Sequence, residues 1–330
     1  MKRLIGAAAF AASAAMLLTS CGRIVEKAEN LYQENDTNVL SAEAAEPVNG
    51  SSSDADATGA PERLAADLDQ PDGYRLAQRN VLSFKSVMQK PSLPTGCEVT
   101  ALTQTLNYFG FEIDNVTLSD YFLPQDWDGW FTMNDYYLGD PHSENGFGCN
   151  VPVLMRAATD YFDYLGSDWY PADLSGTPFM ELLYQIDQGR PVIVWGTMDL
   201  VESEAVYQFD LGCGDEFWFN DFHHCMTVYG YDLDEEVVYT ADPLAGNICY
   251  PIDRFETVYG NMGSQAIVLV GNEESAGKDY SDDAFKDKWM HDRHPSWFGE
   301  ENPDSGEFDY YYEYDNPVDY TTEPEEENAD

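Results

Sequence analysis

Basic residues are scarce in this 330-residue sequence: 16 Lys plus Arg stand against 61 Asp plus Glu, for a formal net charge of −45. Nucleic-acid backbones are bound by clustered cations, so no nucleic-acid partner is expected. Such a charge keeps a protein soluble and suits basic peptides as ligands, but it does not specify a fold. Long apolar runs are also lacking. The one at residues 4–18 is too short for a comfortable membrane span, and no later segment exceeds it. None of the six cysteines forms a C-x-x-C pair, so cysteine-bound metal is not expected, and nothing calls for a metal or organic cofactor. No internal repeat is present.

The N-terminus carries an address. Lys2 and Arg3 precede the alanine-rich apolar run, the arrangement of a secretory signal peptide. The run ends in Leu18-Thr19-Ser20-Cys21, which resembles the lipobox of bacterial lipoproteins. That resemblance implies cleavage after residue 20, lipidation of Cys21, and attachment to the outer face of the cell membrane. Residues 21–70 are poor in large apolar side chains and include Asn49-Gly50-Ser51-Ser52-Ser53-Asp54. Such a stretch buries too little surface to offset its ordering entropy and reads as a flexible tether, with a helical turn or two expected at residues 23–32.

From residue 71 to 272 Trp, Tyr, Phe, Val and Ile become dense, enough for one sizeable core. Residues 273–330 turn polar and acidic, with a short helix expected over 282–290 and the run Phe308-Asp309-Tyr310-Tyr311-Tyr312-Glu313-Tyr314-Asp315 in a largely disordered tail. Val99, Leu102, Leu106 and Phe109 recur at helical spacing and Gly110 offers a stop. Helices are also expected over 152–164, with Pro152 suited to a first turn, and over 179–188. Strands are expected over 191–195, 224–231, 237–240 and 266–270. Helices first and strands later point to an α+β fold with an antiparallel sheet.

Cys97 follows Gly96 at the start of a predicted helix. Unsatisfied N–H groups and the helix dipole favour negative charge there, which tends to lower a thiol pKa and raise the attacking thiolate fraction. A thiolate nucleophile works with an imidazole oriented by a carboxylate or amide. His224 lies 127 residues downstream on a predicted strand, and Asp242 lies 18 further on, at the end of the next. Papain-type enzymes place a helix-borne Cys first and its His roughly 130–150 residues later.

Several blocks then occur in a family's order. Leu93-Pro94-Thr95-Gly96-Cys97-Glu98, with a helix ending Asn107-Tyr108-Phe109-Gly110, resembles the nucleophile segment of the C39-like peptidases. Gly146-Phe147-Gly148-Cys149 and Gly189-Arg190-Pro191-Val192-Ile193-Val194 resemble internal blocks of that family. The stretch from His224 through Gly230-Tyr231-Asp232 resembles its histidine strand, and Val238 through Asp242-Pro243 the strand ending in its aspartate. The resemblance spans roughly residues 78–271. It implies a papain-like fold, a helical part carrying the nucleophile followed by an antiparallel sheet carrying His and Asp, and hydrolysis of peptide or amide bonds. It also implies Cys97 as nucleophile, His224 as general base and acid, Asp242 as the orienting group, and Gln89, the nearest upstream glutamine, as oxyanion donor. A peptide or protein is the implied substrate. A catalytically inactive surface-binding protein and a cell-wall peptide amidase or acyltransferase are the alternatives.

Other residues compete for these roles. His223 and His224 point to opposite faces of a strand, so only one faces Cys97, and the motif selects His224. His142, His291 and His294 read as solvated. Cys225 is expected to point away from the thiolate, and one or two disulfides are expected among Cys149, Cys213, Cys225 and Cys249. Trp127, Trp130 and Phe131 form an aromatic cluster expected to pack the core, with a cleft wall or lid as the alternative.

Overall fold

A computed structural model describes residues 68–126, 131–202, 206–210, 216–220 and 222–294. The tether, the signal segment, Trp127, Trp130, Cys213 and the tyrosine-rich tail lie outside these. The chain divides at Asp279/Tyr280. The second unit holds one described helix, α6 (Asp283–Arg293), N-capped by Asp282, which accepts from the Phe285 N–H.

The first unit is built on a seven-stranded antiparallel sheet. Its strands are β1 (Arg79–Val81), β4 (Tyr170–Asp173), β5 (Val192–Thr197), β8 (His223–Asp232), β9 (Val237–Asp242), β10 (Gly246–Pro251) and β11 (Ala266–Val270), in the order β10-β9-β8-β5-β11-β4. β1 adds to the far end of β8, where Gly230 is needed because a Cβ would strike the β1 backbone at Val81. Two small pairs lie apart: β2 (Gln125–Asp126) with β3 (Tyr137–Leu138), and the hairpin β6 (Val206–Asp210) with β7 (Glu216–Asn220).

Helices cover both faces. On one, α4 (Phe179–Asp187) and α5 (Ile252–Asn261) set Phe179, Leu182, Ile186, Phe255 and Val258 against Val192, Val194, Met226 and Val228. Alternation along β5 sends Ile193 and Trp195 to the other face, the side of α1 (Cys97–Tyr108) and α3 (Val151–Tyr164); α2 (Asn115–Phe122) packs beside these two. The helices and strands expected among the described residues are all present, with bounds moved by at most three residues, the most at the end of α6; the turns expected at 23–32 lie outside the described residues. Gly110, at φ +86°, ends α1 as expected, with the Phe111 N–H returning to the Leu106 carbonyl.

α1 is buried around its whole circumference from Cys97 to Leu106, so its polar residues are internal. Gln104 donates to Thr227 Oγ1 at 2.9 Å and to the Ala241 carbonyl at 2.8 Å, while its own oxygen accepts from the Val87 N–H. Thr227 in turn donates to the Ala101 carbonyl. One side chain thus ties α1 to β8, β9 and the lead-in segment. A buried group stripped of its partner costs about 1–3 kcal/mol, so Gln104→Met is expected to destabilise the fold by roughly 3 kcal/mol, read as a lowered urea midpoint at unchanged slope.

Candidate active site

Cys97 is the first residue of α1 and is 6% exposed. The turn that delivers it is tight. The Gly96 N–H returns to the Leu93 carbonyl, and a Cβ on Gly96 would stand 2.8 Å from that of Leu93, so the position takes glycine. The thiol meets two groups: Sγ donates to Glu98 Oε2 at 3.3 Å, and the Cys225 N–H of β8 points at the sulfur. The helix terminus led us to expect a lowered pKa. The reverse holds in this resting arrangement: burial pushes the thiol well up, the Glu98 carboxylate adds to the rise, and the Cys225 N–H only partly opposes it.

His224 and Asp242, on neighbouring strands, are both buried and meet at 2.9 Å between Nε2 and Oδ1. Burial alone would raise the Asp242 pKa, yet His224 and the Leu244 and Ala245 N–H groups bring it below the usual carboxylate range. Those two N–H groups bond Oδ1 at 2.7 and 3.2 Å, in the turn opened by Pro243. An ionised carboxylate only accepts, so Nε2 carries the hydrogen and Nδ1 is the imidazole's basic nitrogen. Asp242 acts electrostatically on Cys97, and His224 on Glu98, so the pair lies near the thiol.

Gln89 is 2% exposed and not a surface residue. Its backbone N–H donates to the Pro243 carbonyl and its Nε2 to the Pro94 carbonyl at 2.6 Å, so it lies between the aspartate turn and the nucleophile turn. One of the two hydrogens on Nε2 is committed to Pro94, leaving the other.

The adjacent histidines do lie on opposite faces. The face turned to α1, expected for His224, is taken by His223 with Cys225 and Thr227, and His223 approaches Glu98 there, with Nδ1 3.6 Å from Oε1. The carboxylate of β9 goes to His224. Burial pushes His223 down to about 4, so it is neutral, and pushes Glu98 up to about 7. Glu98 was not singled out from sequence; an acid in the first turn of a helix otherwise buried on all sides was the available signal.

Two expectations, for Cys225 and Phe131, are corrected, while a disulfide at Cys249 agrees with the one or two expected. Cys225 does not point away from the nucleophile: it interacts electrostatically with Cys97, because odd-numbered residues of β8 face α1. Cys149 and Cys225 are free thiols, and Cys249 is disulfide-bonded. Phe131 does not pack the core; it is 42% exposed and rests on Tyr136. His142 is engaged away from the site, by Asp120 at 2.8 Å and the Ser92 carbonyl at 3.1 Å.

A buried neutral histidine has a pH signature. Below about 6.5 the unfolded chain binds a proton at this position that the native state refuses until about pH 4, so stability falls as pH drops through that window. His223→Phe removes this loss. The variant is expected to gain on wild type by about 3 kcal/mol between pH 6.5 and 4 in urea midpoints. A difference independent of pH would show that His223 is not held neutral.

Comparison with known proteins follows the same boundaries. The Bacillus subtilis (strain 168) protein YvpB is 30% identical over 190 residues, which cover 55% of this chain and 72% of its own length. A crystal structure from Bacillus anthracis assigned to the C39-like peptidases is 27% identical, with a TM-score of 0.52, over 59% of this chain and 98% of that one. The peptidase domain of Streptococcus ComA, a bifunctional ABC transporter, is 15% identical with a TM-score of 0.36, over 57% of this chain and 99% of that one, and informs no residue here. The fold is therefore a papain-like α+β fold. The model of the Peptidase_C39 like family matches residues 81–267, from the end of β1 into β11, and this chain belongs to that family.

Proposed function

We propose that the protein is a cysteine peptidase that hydrolyses peptide or amide bonds through Cys97, His224 and Asp242. The observation that carries this reading is the buried His224–Asp242 hydrogen bond on the strands against which the nucleophile helix ends. In the reaction, the Cys97 proton passes to His224 Nδ1 and the sulfur attacks the substrate carbonyl. The Cys97 N–H, unpaired because it opens a helix, and the second hydrogen of the Gln89 amide receive the oxyanion. His224 then protonates the leaving amine, and water releases the acyl group from sulfur. Asp242 holds the imidazole in the tautomer that leaves Nδ1 free, and Tyr250, donating to Oδ2 at 3.5 Å, limits its rotation. Support comes from family membership, from the order of the three residues, and from the buried position of Gln89 beside both turns.

The same reading puts the peptidase outside the cytoplasm, anchored through a lipid on Cys21, where it would meet peptides and proteins of the cell surface or medium. It follows from the N-terminal sequence alone.

Two tests separate the parts. With a quenched peptide library, Cys97→Ala is expected to abolish hydrolysis and Gln89→Ala to lower kcat by about 10²–10³-fold, the usual cost of one oxyanion donor. Full activity in Cys97→Ala would end the assignment. For the anchor, Cys21→Ser is expected to lose metabolic fatty-acid labelling and leave the membrane fraction; unchanged labelling would refute lipidation at Cys21.

A further inference from the structure

The proposed reaction leaves one contact of the Cys97 thiol unexplained. Its hydrogen bond runs to Glu98, which has no place in the proposed catalysis. Its surroundings are built to hold it. Oε1 accepts from the Cys149 N–H at 2.9 Å, and Oε2 faces Cys97 Sγ at 3.3 Å. Gly148 adopts φ +123°, in the left-handed region, and a Cβ there would collide with Oε1, so the loop before α3 is shaped around this carboxyl. His223 Nδ1 stands 3.6 Å from Oε1, yet neither of its ring nitrogens has a hydrogen-bond partner among the described residues. An acid with no solvent exposure, one short contact to the sulfur and an imidazole kept close but unbonded is an arrangement with two states, charged and neutral.

We propose that Glu98 is a positioning residue with a titrating role: it holds the Cys97 thiol in a resting hydrogen bond, and its own charge sets how readily that thiol ionises. This rests on the reading of Cys97 as nucleophile. As a carboxylate, Glu98 accepts the thiol hydrogen, directs it away from the base, and opposes a second negative charge on sulfur. As a carboxylic acid, it carries no charge to oppose the thiolate. The proton lost by Sγ goes to His224 in either case; Glu98 takes none from it and only changes the cost of the transfer.

Every titratable or charged group around the pair bears on this balance. Cys97 precedes Glu98 on α1; Tyr137 faces it from β3; Cys149 lies on the loop before α3, with Arg156 of α3 acting on that thiol; His223, His224 and Cys225 face it from β8; and Asp242 of β9 acts on Cys97. Burial raises Tyr137, Cys149 and Cys225 beyond the neutral range and keeps His223 uncharged near pH 7. Glu98, pushed up by the same burial to about 7, is then the carboxyl beside the sulfur that changes charge near neutrality.

The test is the pH dependence of Cys97 alkylation by iodoacetamide in the full-length protein, read peptide by peptide by mass spectrometry so that Cys149 and Cys225 are counted separately. In wild type the labelling rate is expected to rise less steeply through pH 7 as Glu98 ionises. In Glu98→Gln, which keeps an oxygen for the Cys149 N–H and offers an N–H to the sulfur, the bend is expected to vanish. Labelling at pH 8 is expected to increase about tenfold for each unit by which the thiol pKa falls. In His224→Ala, which removes the proposed base, the bend is expected to persist. Profiles identical in wild type and Glu98→Gln would overturn the role given to Glu98 while leaving the nucleophile in place. A Cys97 inert at every pH would overturn the nucleophile assignment, and this inference with it. If Glu98→Gln does not fold, the His224→Ala profile decides alone, and a rise without a bend overturns the proposal.

Discussion

The site depends on a polar seam where α1 lies along β8. Gln104, Thr105 and Thr227, with the carbonyls of Ala101 and Ala241, satisfy one another inside an otherwise apolar interface. Apolar packing tolerates sliding, whereas a satisfied buried network does not. Moving α1 by one turn, about 5.4 Å along its axis, would orphan the Gln104 amide, the Thr227 hydroxyl and the Ala241 carbonyl together. The helix is therefore locked in register, and its N-terminus stays beside the Cys225 N–H. The same seam fixes β8 against β9 at the Thr227–Ala241 pair, short of the register shift between Val228 and Gly230, and so fixes the step from His224 to Asp242. Placement of Cys97 is thus decided about 10 Å along the helix from it, at Gln104 and Thr105.

What the sequence made legible follows from which physical signals are local. The spacing of Val99, Leu102 and Leu106 and the β-branched run at 192–194 are local signals, and both elements form as read. The alternation of His223 and His224 is local too, and it holds. Which of the two meets the carboxylate is not local: it depends on the pairing of β8 with β9, and only the family motif selected His224 in advance. Cys225 was misjudged for the same reason. Its face is set by where α1 docks, and no residue of β8 records that. α2 and α5 went unread for different reasons. α2 has a clear signal in hindsight, Asp114 capping the Thr117 N–H, while α5 opens after Pro251 with no side-chain cap. Glu98 escaped notice because an acid in the first turn of a helix is ordinarily a solvated dipole partner. Here the loop at Gly148 and Cys149, some fifty residues on, closes over it.

The site's electrostatics then constrain how the chemistry can proceed. Three groups that can carry negative charge, Cys97, Glu98 and Asp242, are buried within reach of one another in a chain whose formal charge is already −45. Ionising the thiol by releasing its proton to water would add another buried anion beside two acids, and desolvation opposes that. Passing the proton to His224 leaves the net charge of the site unchanged, because an imidazolium forms next to Asp242 as the thiolate forms next to the Cys225 N–H. Asp242 is suited to that exchange, since its Oδ1 is already held by three donors and stays ionised despite its burial. A high resting pKa for Cys97 is consistent with nucleophilic catalysis on these terms. It means that the free thiolate is rare, and under the proposed mechanism reactivity would belong to the Cys97–His224 pair, formed when a substrate carbonyl is in place to take up the charge. An acid beside the sulfur makes the uncoupled thiolate rarer still. That disfavours side reactions of a buried nucleophile while leaving the coupled transfer open.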